Sequence, residues 1–269
     1  MMFAELEAAE RNWRYRPSHD LLSGRIVLVT GAGDGLGRCA ARTFAAYGAD
    51  VVLLGRTQRK LEDTFDAIAA ETSTDPTVVP CDLETATPEA FAELNEQIVD
   101  HYGRLDGLLH CAGMLGPRVP IEFYDQGNWR RVMRVNLDAM VALTQGVLPA
   151  LRASTASTVV ITSSSVGRVG RAYWGAYAAS KFAAEGFAQV LADELANEGR
   201  VRIRTVNPGA TRTSMRSAAY PGEDPATVPP PETKMDLLLY LFGPDSRDRD
   251  EIQWDAKDWS PSRPVAPAN

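Results

Sequence analysis

The segment RIVLVTGAGDGLGR, residues 25–38, predicts the fold of the whole chain. Residues 25–30 are a short run rich in β-branched side chains, which is typical of a buried strand. From Leu36 to Tyr47 the apolar residues recur at helical spacing, so a helix follows. The glycines between the two permit backbone angles and close approaches that a Cβ would block. The segment therefore predicts a strand, a tight glycine turn and a helix.

The same alternation of strands and helices continues along the chain. Further strands are predicted over 50–55, 77–82, 105–113, 157–165 and 201–209, and helices over about 57–70, 88–102, 128–151 and 174–197. Parallel strands need a crossover long enough to hold a helix, so the alternation favours a doubly wound parallel sheet with helices on both faces. Residues 252–256 could add a seventh strand. We therefore predict an α/β fold of about seven strands, with ligands at the carboxyl ends of the strands.

Most of the chain is predicted to form one domain. Of its 269 residues, 45% are hydrophobic and 23% are charged, an ordinary globular composition with enough apolar material for a large core. We predict an N-terminal extension over 1–22, which could be helical and has no evident function, a single domain over 23–260 and a flexible tail over 261–269. A proline-rich loop over 221–232 precedes a short helix over 235–242, and such loops often cover substrate sites.

Charge and cysteine usage exclude several classes of partner. A net charge of −7 and a pI of about 5.1 argue against a nucleic-acid binder, which would need clustered cations. Cys39, Cys81 and Cys111 are too irregularly spaced to suggest a disulfide framework or a metal site. The N-terminus lacks the apolar run of a signal peptide, and no segment reaches the roughly 18 apolar residues of a membrane span. We expect a cytoplasmic protein with a small-molecule partner, no metal, no nucleic acid and no membrane.

The glycine turn is a candidate phosphate cradle. Backbone amides at the start of a helix can face a pyrophosphate, although a merely tight turn would have the same composition. Its position after a strand and before a helix favours the binding interpretation. The candidate binding residues are Gly31, Gly33, Asp34, Gly35, Leu36 and Gly37.

Tyr177 and Lys181 are candidates for proton transfer. Side chains at i and i+4 of a helix lie about 5 to 6 Å apart, so the ammonium could lower the tyrosine pKa from its usual value near 10. An amphipathic surface helix would explain the pair equally well by itself. The serines Ser163, Ser164 and Ser165 end the fifth predicted strand, and any of them could donate a hydrogen bond to a substrate carbonyl.

Together these motifs resemble the short-chain dehydrogenase/reductase superfamily, and within it the bacterial YciK-type oxidoreductases. The resemblance covers roughly residues 23–217. It is carried by VTGAGDGLGR, by TSSSVGRVGRAYWGAYAASKFA over 162–183 and by NPGATRTSM over 207–215. The resemblance implies a Rossmann-type fold and an enzyme that interconverts a carbonyl and an alcohol by hydride transfer.

The resemblance also implies roles for particular residues. Ser164 matches the serine that polarises the substrate carbonyl, Tyr177 the acid/base and Lys181 its activator, so Ser164 and Tyr177 would bind substrate. Asn136 matches the asparagine that holds a water in the proton relay, although it could also kink or cap its helix. Without turnover, the same fold could instead serve as a nicotinamide-binding sensor or scaffold.

Further cofactor contacts follow from the same resemblance. Pro208, Gly209, Thr211 and Thr213 match a segment that closes over the nicotinamide. Asp82 and Leu83 match residues at the adenine, although Asp82 could simply cap its loop. Tyr177 and Lys181 would also touch the cofactor, as would Ala112 and Gly113. The last two stand in His110-Cys111-Ala112-Gly113, where many relatives have Asn-Asn-Ala-Gly. His110 is then expected in the core or at its edge, and Cys111 as a packed thiol.

Arg56 predicts the choice of cofactor. NAD-preferring members place an acid at the end of the second strand to bind the ribose hydroxyls. Here the residues are Gly55-Arg56, and a guanidinium favours a 2′-phosphate, so NADP(H) is predicted over NAD(H). Arg38 could assist or could be solvated.

Two further expectations concern substrate and assembly. Arg168 and Arg171, with Tyr173 and Trp174, suggest an anionic or aromatic substrate group, although surface arginines usually pair with nearby acids or water. The resemblance implies a homodimer or homotetramer in which the helices over 128–151 and 174–197 pair across a twofold axis.

Overall fold

Seven strands form a single sheet in which every neighbouring pair is parallel. The computed structural model describes residues 2–261. The strands are β1 (Ile26–Thr30), β2 (Asp50–Gly55), β3 (Thr77–Pro80), β4 (Gly107–His110), β5 (Ser157–Thr162), β6 (Val201–Asn207) and β7 (Gln253–Asp255). Their order across the sheet is β3-β2-β1-β4-β5-β6-β7, which confirms the predicted doubly wound Rossmann-type α/β fold.

Helices connect the strands and cover both faces of the sheet. They are α1 (Met2–Glu10), α2 (Gly35–Ala46), α3 (Gln58–Ala69), α4 (Pro88–Tyr102), α5 (Gln126–Met133), α6 (Ala139–Ala153), α7 (Gly175–Leu195), α8 (Ser214–Ala219) and α9 (Met235–Phe242). The single helix predicted over 128–151 is wrong in one respect, because a π-helical turn at Arg134–Asp138 separates α5 from α6. That turn carries Asn136, whose side chain bonds to the loop after β4.

Alternation along the strands divides the core into two layers. On β1, Val27 and Val29 face one layer, with Phe44 of α2 and Phe242 of α9. Leu28, between them, faces the other layer, which also contains side chains of α4, α6 and α7. Both faces of the strands are therefore buried, as a parallel sheet requires.

The N-terminal extension packs behind the first layer. Trp13 is buried, its Nε1 donates to the Glu232 carbonyl at 2.9 Å, and the Arg14 amide donates to Asp236 Oδ2 at 3.0 Å. At the other end, β7 pairs with β6 and confirms the seventh strand. Except for residue 261, the predicted tail lies outside the described residues. Over 2–261, no helix combines the length and apolar character needed to cross a membrane.

The topology positions the candidate site. All strands run the same way, so their carboxyl ends meet at one edge, and the chain order reverses between β1 and β4. The glycine turn follows β1, and Ser164 follows β5 at the same edge.

Candidate active site

The glycine turn is packed so closely that side chains are excluded from it. A Cβ on Gly37 would lie 2.4 Å from the Gly31 carbonyl oxygen, and one on Gly31 would lie 3.0 Å from the backbone of Ala112. Gly31 also has a φ of 70°, which disfavours a side chain on conformational grounds. The turn is therefore a bare backbone cradle at the start of α2, of the kind that admits a phosphate.

Asp34 caps the helix that begins at this cradle. Its Oδ1 accepts from the Gly35 amide at 2.7 Å, and its Oδ2 pairs with Lys60 Nζ at 2.6 Å. The hydrogen bond from Lys60 is the main cause that lowers the pKa of the Asp34 carboxyl. Lys60 thus offsets the carboxylate's charge at the cradle, a role that the sequence pattern did not reveal.

The segment after β6 closes onto the glycine turn. The left-handed φ of 68° at Gly209 turns the chain, and the Gly209 amide donates to Asn207 Oδ1 at 3.1 Å. A Cβ on Gly35 would lie 3.1 Å from Thr213 Cγ2, so Thr213 touches the turn. Thr211, which lies between Gly209 and Thr213 in the sequence, is buried. The structure thus brings together two of the segments predicted to bind cofactor.

The remaining predicted cofactor residues surround the same edge. Asp82 Oδ1 accepts from the Glu84 amide at 3.0 Å, so Asp82 does cap its own loop, and Leu83 is buried. Arg56 is exposed after β2. Arg38, on α2, has a buried Nε without a hydrogen-bond partner in the described chain.

Thr30 ties the glycine turn to the loop after β4. Its Oγ1 accepts from the amides of Cys111 and Ala112, both at 3.0 Å. Sequence reasoning assigned this threonine no role, although its place at the end of β1, beside β4, is a usable signal once the strand order is known.

His110 and Cys111 have the packing roles expected of them. His110 Nε2 lies 2.8 Å from Thr144 Oγ1, and burial lowers the His110 pKa to about 3. Burial raises the pKa of the Cys111 thiol to about 11, so it is not a thiolate at neutral pH. Among residues 2–261 no cluster of His, Cys, Asp or Glu could hold a metal ion.

Tyr177 lies at the start of α7, beside Ser164. It is 9% exposed, and burial raises its pKa to about 12, although a hydrogen bond with Ser164 acts in the opposite direction. The expectation that Lys181 lowers this pKa is therefore corrected, because desolvation of the phenolate is the larger effect. Ser164 itself caps a 3₁₀ turn, and its Oγ accepts from the Val166 amide at 3.4 Å.

Lys181 lies one turn beyond Tyr177, as the spacing predicted. Its Nζ donates to the Thr162 carbonyl at 2.6 Å and lies 5.7 Å from the centre of the Tyr177 ring. Burial lowers the Lys181 pKa to about 8. The packing depends on Gly167, because a Cβ there would lie 2.8 Å from Lys181 Cβ.

Asn136 clamps the loop after β4 to α7. Its Oδ1 accepts from the Met114 amide at 2.7 Å, and its Nδ2 donates to the Met114 carbonyl at 2.9 Å and to Ser180 Oγ at 3.0 Å. Its side chain therefore has a positioning function in addition to forming part of a π-helical turn.

A cavity of about 10 Å³ lies between Asn136 and Lys181. This is roughly the volume that one water molecule needs. Its lining residues are Thr30, Leu83, His110, Ala112, Val135, Asn136, Met140, Ile161, Thr162 and Lys181.

Arg168 pairs with acids within the protein, the alternative considered from the sequence to an anionic substrate group. Its Nε pairs with the buried Glu185 at 3.0 Å, and its Nη1 pairs with Asp255. The Glu185 carboxylate also accepts from Thr205 Oγ1 at 2.8 Å. This network joins the loop after Ser164 to β6 and β7.

An apolar wall packs against Tyr177. Most of its residues lie in the stretches 162–183 and 207–215 quoted from the sequence, but the sequence did not show that these stretches pack together with Leu115 and Tyr220. The cluster contains Val166, Trp174, Tyr177, Ala178 and Ala219, with Leu115, Met215 and Tyr220 packed against it.

Comparison with known proteins identifies the family of the chain. The family model for short chain dehydrogenases matches residues 25–224. The chain is 50% identical over 243 residues to the uncharacterized oxidoreductase YciK of Escherichia coli K12, which covers 90% of this chain and 96% of that protein. It is 31% identical to dehydrogenase/reductase SDR family member 7B of Danio rerio, with coverages of 78% and 67%.

Solved structures give the same result. An oxidoreductase, yciK from E. coli, is 50% identical with a TM-score of 0.88, covering 91% of this chain and 99% of that one. A short chain dehydrogenase from Shigella flexneri 2a, complexed with NADP, is 50% identical with a TM-score of 0.87 and coverages of 90% and 100%. The chain belongs to the short-chain dehydrogenase family, among the YciK-type oxidoreductases.

Proposed function

We propose that the protein is an NADP(H)-dependent oxidoreductase that interconverts a carbonyl compound and an alcohol. The observation that carries the proposal is the convergence of Ser164, Tyr177, Lys181 and Asn136 at the strand edge that holds the glycine cradle. Neither the four side chains nor the glycine cradle alone implies turnover. Together they place a nucleotide-binding turn and a proton donor at the same edge of the sheet.

The residues present fit a nicotinamide dinucleotide. The bare turn at Gly31 and Gly37 would hold the pyrophosphate, since its backbone leaves no room for side chains. When bound, the cofactor supplies or accepts a hydride, which no protein side chain can do. The segments that would flank it contribute Gly33, Asp34, Gly35, Leu36, Asp82, Leu83, Ala112, Gly113, Pro208, Gly209, Thr211 and Thr213.

Tyr177 acts as the acid in the reductive direction. With its pKa raised to about 12, the phenol keeps its proton at neutral pH and can donate it to a developing alkoxide. The Ser164 hydroxyl, which already bonds Tyr177, polarises the carbonyl oxygen. Lys181 replaces the proton through the cavity beside Asn136.

The choice of NADP(H) over NAD(H) is part of the proposal. Arg56 follows β2 in the sequence Gly55-Arg56-Thr57, where no acid ends the strand, and Arg38 has a buried unpartnered Nε on the helix after the cradle. Two guanidinium groups suit a 2′-phosphate. The complexes of related proteins with NADP and NADPH support the same choice.

Titration of the pure protein with NADPH and NADH, followed by nicotinamide fluorescence, tests the cofactor site. We expect NADPH to bind more tightly, and Arg56→Ala to weaken NADPH binding by about tenfold while leaving NADH binding unchanged. Exposed Arg59 is the matched control, because Arg59→Ala removes the same charge without touching the turn. Binding of neither cofactor would contradict the proposal.

Tyr177→Phe tests the chemistry. Across a panel of ketones and aldehydes, this variant should lose about 10²- to 10⁴-fold in kcat with NADPH affinity unchanged. Tight NADPH binding by the wild type without turnover of any carbonyl compound would indicate a sensor or scaffold instead. Turnover retained in the variant would contradict the assignment of the acid.

The proposal includes a homo-oligomer in the cytoplasm. Phe182 and Val190 on α7 are 45% and 58% exposed, and apolar side chains on that helix fit pairing with a second copy across a twofold axis. Three free cysteines are typical of a reducing compartment. Light scattering should give a dimer or tetramer, and a monomer would contradict the pairing.

A further inference from the structure

A stack of rings and a guanidinium runs outward from Tyr177. The Trp174 ring centre lies 5.7 Å from that of Tyr177 and 6.1 Å from that of Tyr220. Arg118, from the loop after β4, places its guanidinium carbon 4.7 Å from the Trp174 ring centre and 4.9 Å from that of Tyr220. The stack therefore connects the proposed acid to a cation at the rim of the apolar wall.

Two N–H groups in this stack are buried without an acceptor. Trp174 is 8% exposed, and its Nε1 has no hydrogen-bond partner among the described residues. Arg118 Nε is also buried and unpartnered there, while its Nη1 donates to the Ala219 carbonyl. Buried donors in native proteins are almost always satisfied, so two orphans in contacting side chains indicate a missing acceptor.

Ion pairing distinguishes Arg118 from Arg216 and Arg168. Arg216 makes two bonds of 2.6 Å to Glu223, and Arg168 pairs with Glu185 and Asp255. Across the described chain, no carboxylate forms an ion pair with Arg118. Its guanidinium is held by aromatic faces, which leaves its charge available to a ligand.

The backbone next to Trp174 is strained. Tyr173 has a φ of 71°, the only positive value at a non-glycine residue within 2–261, and this conformation is costly for a bulky side chain. Such strain persists where the surrounding structure imposes it, which is commonly at functional sites. A groove of about 400 Å³ lies next to these residues. Its lining includes Val119, which follows Arg118 in the chain, and Tyr173 and Gly175, which flank Trp174.

We propose that Arg118 Nε and Trp174 Nε1 bind a carboxylate of the substrate, so that the substrate is an oxo acid or hydroxy acid whose apolar body lies against Leu115, Val166 and Met215. The inference rests on the proposed function and specifies its substrate class. The two N–H donors, buried on contacting side chains, match in number the two oxygens of a carboxylate, and one donor is charged. The other polar side-chain groups of the wall are the hydroxyls of Tyr177, the proposed acid, and of Tyr220, which accepts from Arg171 Nη1 at 3.4 Å.

Binding is tested first, without turnover. Aryl and alkyl carboxylates are titrated calorimetrically into the NADP⁺-loaded protein, and into the protein alone, each against its own primary amide. We expect at least one acid to bind about tenfold or more tightly than its amide. Arg118→Met, which keeps an apolar stem over Trp174, and Trp174→Phe, which keeps a ring without the N–H, should each abolish that preference.

Arg171→Met is the matched control. Arg171 is an exposed guanidinium on the same face whose Nη1 lies 3.4 Å from the Tyr220 hydroxyl. If positive charge in general were responsible, this variant would lose the preference as well, and the inference would be overturned. Equal affinity for every acid and amide pair in the wild type would also overturn it, as would a preference that both Arg118→Met and Trp174→Phe retain.

Turnover distinguishes this inference from the proposed function. Oxo acids should be reduced with a kcat/KM about tenfold or more above that of their methyl esters, and Arg118→Met should remove the difference mainly through KM. Equal reduction of acid and ester would overturn the substrate class while supporting the proposed reaction. Carboxylate binding with no turnover of any carbonyl compound would support the anion site and contradict the reaction.

Discussion

The two sides of Tyr177 are built by different means. On the cofactor side, backbone approaches backbone, and Gly31 and Gly37 leave no room for a Cβ. On the substrate side, Trp174 and Arg118 come from separate loops and meet through side chains alone. A cradle made of backbone can be encoded within eight consecutive residues, whereas a wall of side chains depends on how distant loops pack. The first is the side that we propose binds the cofactor, and the second is the side that we propose selects the substrate.

Gly37→Ala is the strongest way to break the cofactor side. The added Cβ would lie 2.4 Å from the Gly31 carbonyl oxygen, so the turn must open or α2 must shift. We expect NADPH affinity to fall by about 100-fold or more, as measured by fluorescence titration, because the phosphate cradle depends on these backbone positions. In Gly222→Ala the new Cβ meets nothing within 4 Å, and this control should bind NADPH normally. Normal binding in Gly37→Ala would show that the cradle tolerates displacement.

Asn136→Ala breaks the clamp that joins the two sides. It removes three hydrogen bonds and leaves the Met114 amide and carbonyl without their side-chain partner. The free energy of unfolding, measured in urea, should fall by about 1 to 3 kcal/mol, and kcat should fall as well. Ser180→Ala removes one of the three bonds and the bond from Ser180 Oγ to the Tyr177 carbonyl, but it leaves both Met114 bonds in place and should cost less. Equal losses in the two variants would contradict the view that the loop after β4 is held chiefly by Asn136.

The same contrast decides how much could be predicted from the sequence. The succession of strands and helices and the glycine turn followed from local periodicity, because a strand, a turn and a helix are specified by neighbouring residues. A kink at Asn136 was one of the two roles considered from the sequence, but the π-helical turn and the bond of Asn136 to Met114 were not predicted, because 22 residues separate the two. The pairing of Arg168 with Asp255 was missed for the same reason, because 87 residues separate them.

The lowered pKa of Lys181 predicts how the stability of the protein depends on pH. Burial lowers this pKa from 10.5 to about 8, so the folded protein binds fewer protons than the unfolded chain between those values. The free energy of unfolding should therefore rise as the pH increases from about 8 to 10.5, by at most about 1.4 kcal/mol per pH unit from this group. Lys181→Met should lack this increase when unfolding is measured across the same range.

Tyr177→Phe is the control for that measurement, since its sign is opposite. Burial raises the Tyr177 pKa from 10.0 to about 12, so the folded protein keeps a proton that the unfolded chain loses, and stability falls across that window. The phenylalanine variant should therefore depart from the wild type only above about pH 10. A wild-type stability curve parallel to that of Lys181→Met between pH 8 and 10.5 would show that Lys181 is better solvated than its burial implies.

Trp13→Phe should have the smallest effect of these substitutions, because Trp13 belongs to neither side of Tyr177. Trp13 packs 6.3 Å from Tyr47, behind the helix that follows the cradle, and its Nε1 bonds to Glu232 at the end of the proline-rich loop. Phenylalanine keeps most of the packing and loses the bond, so the free energy of unfolding should fall by about 1 kcal/mol. NADPH affinity and kcat/KM should not change, because Trp13 packs in the core layer behind α2 and is not among the residues proposed to bind cofactor or substrate. A change in KM with stability preserved would instead mean that the bond from Trp13 to Glu232 positions the proline-rich loop over the substrate site.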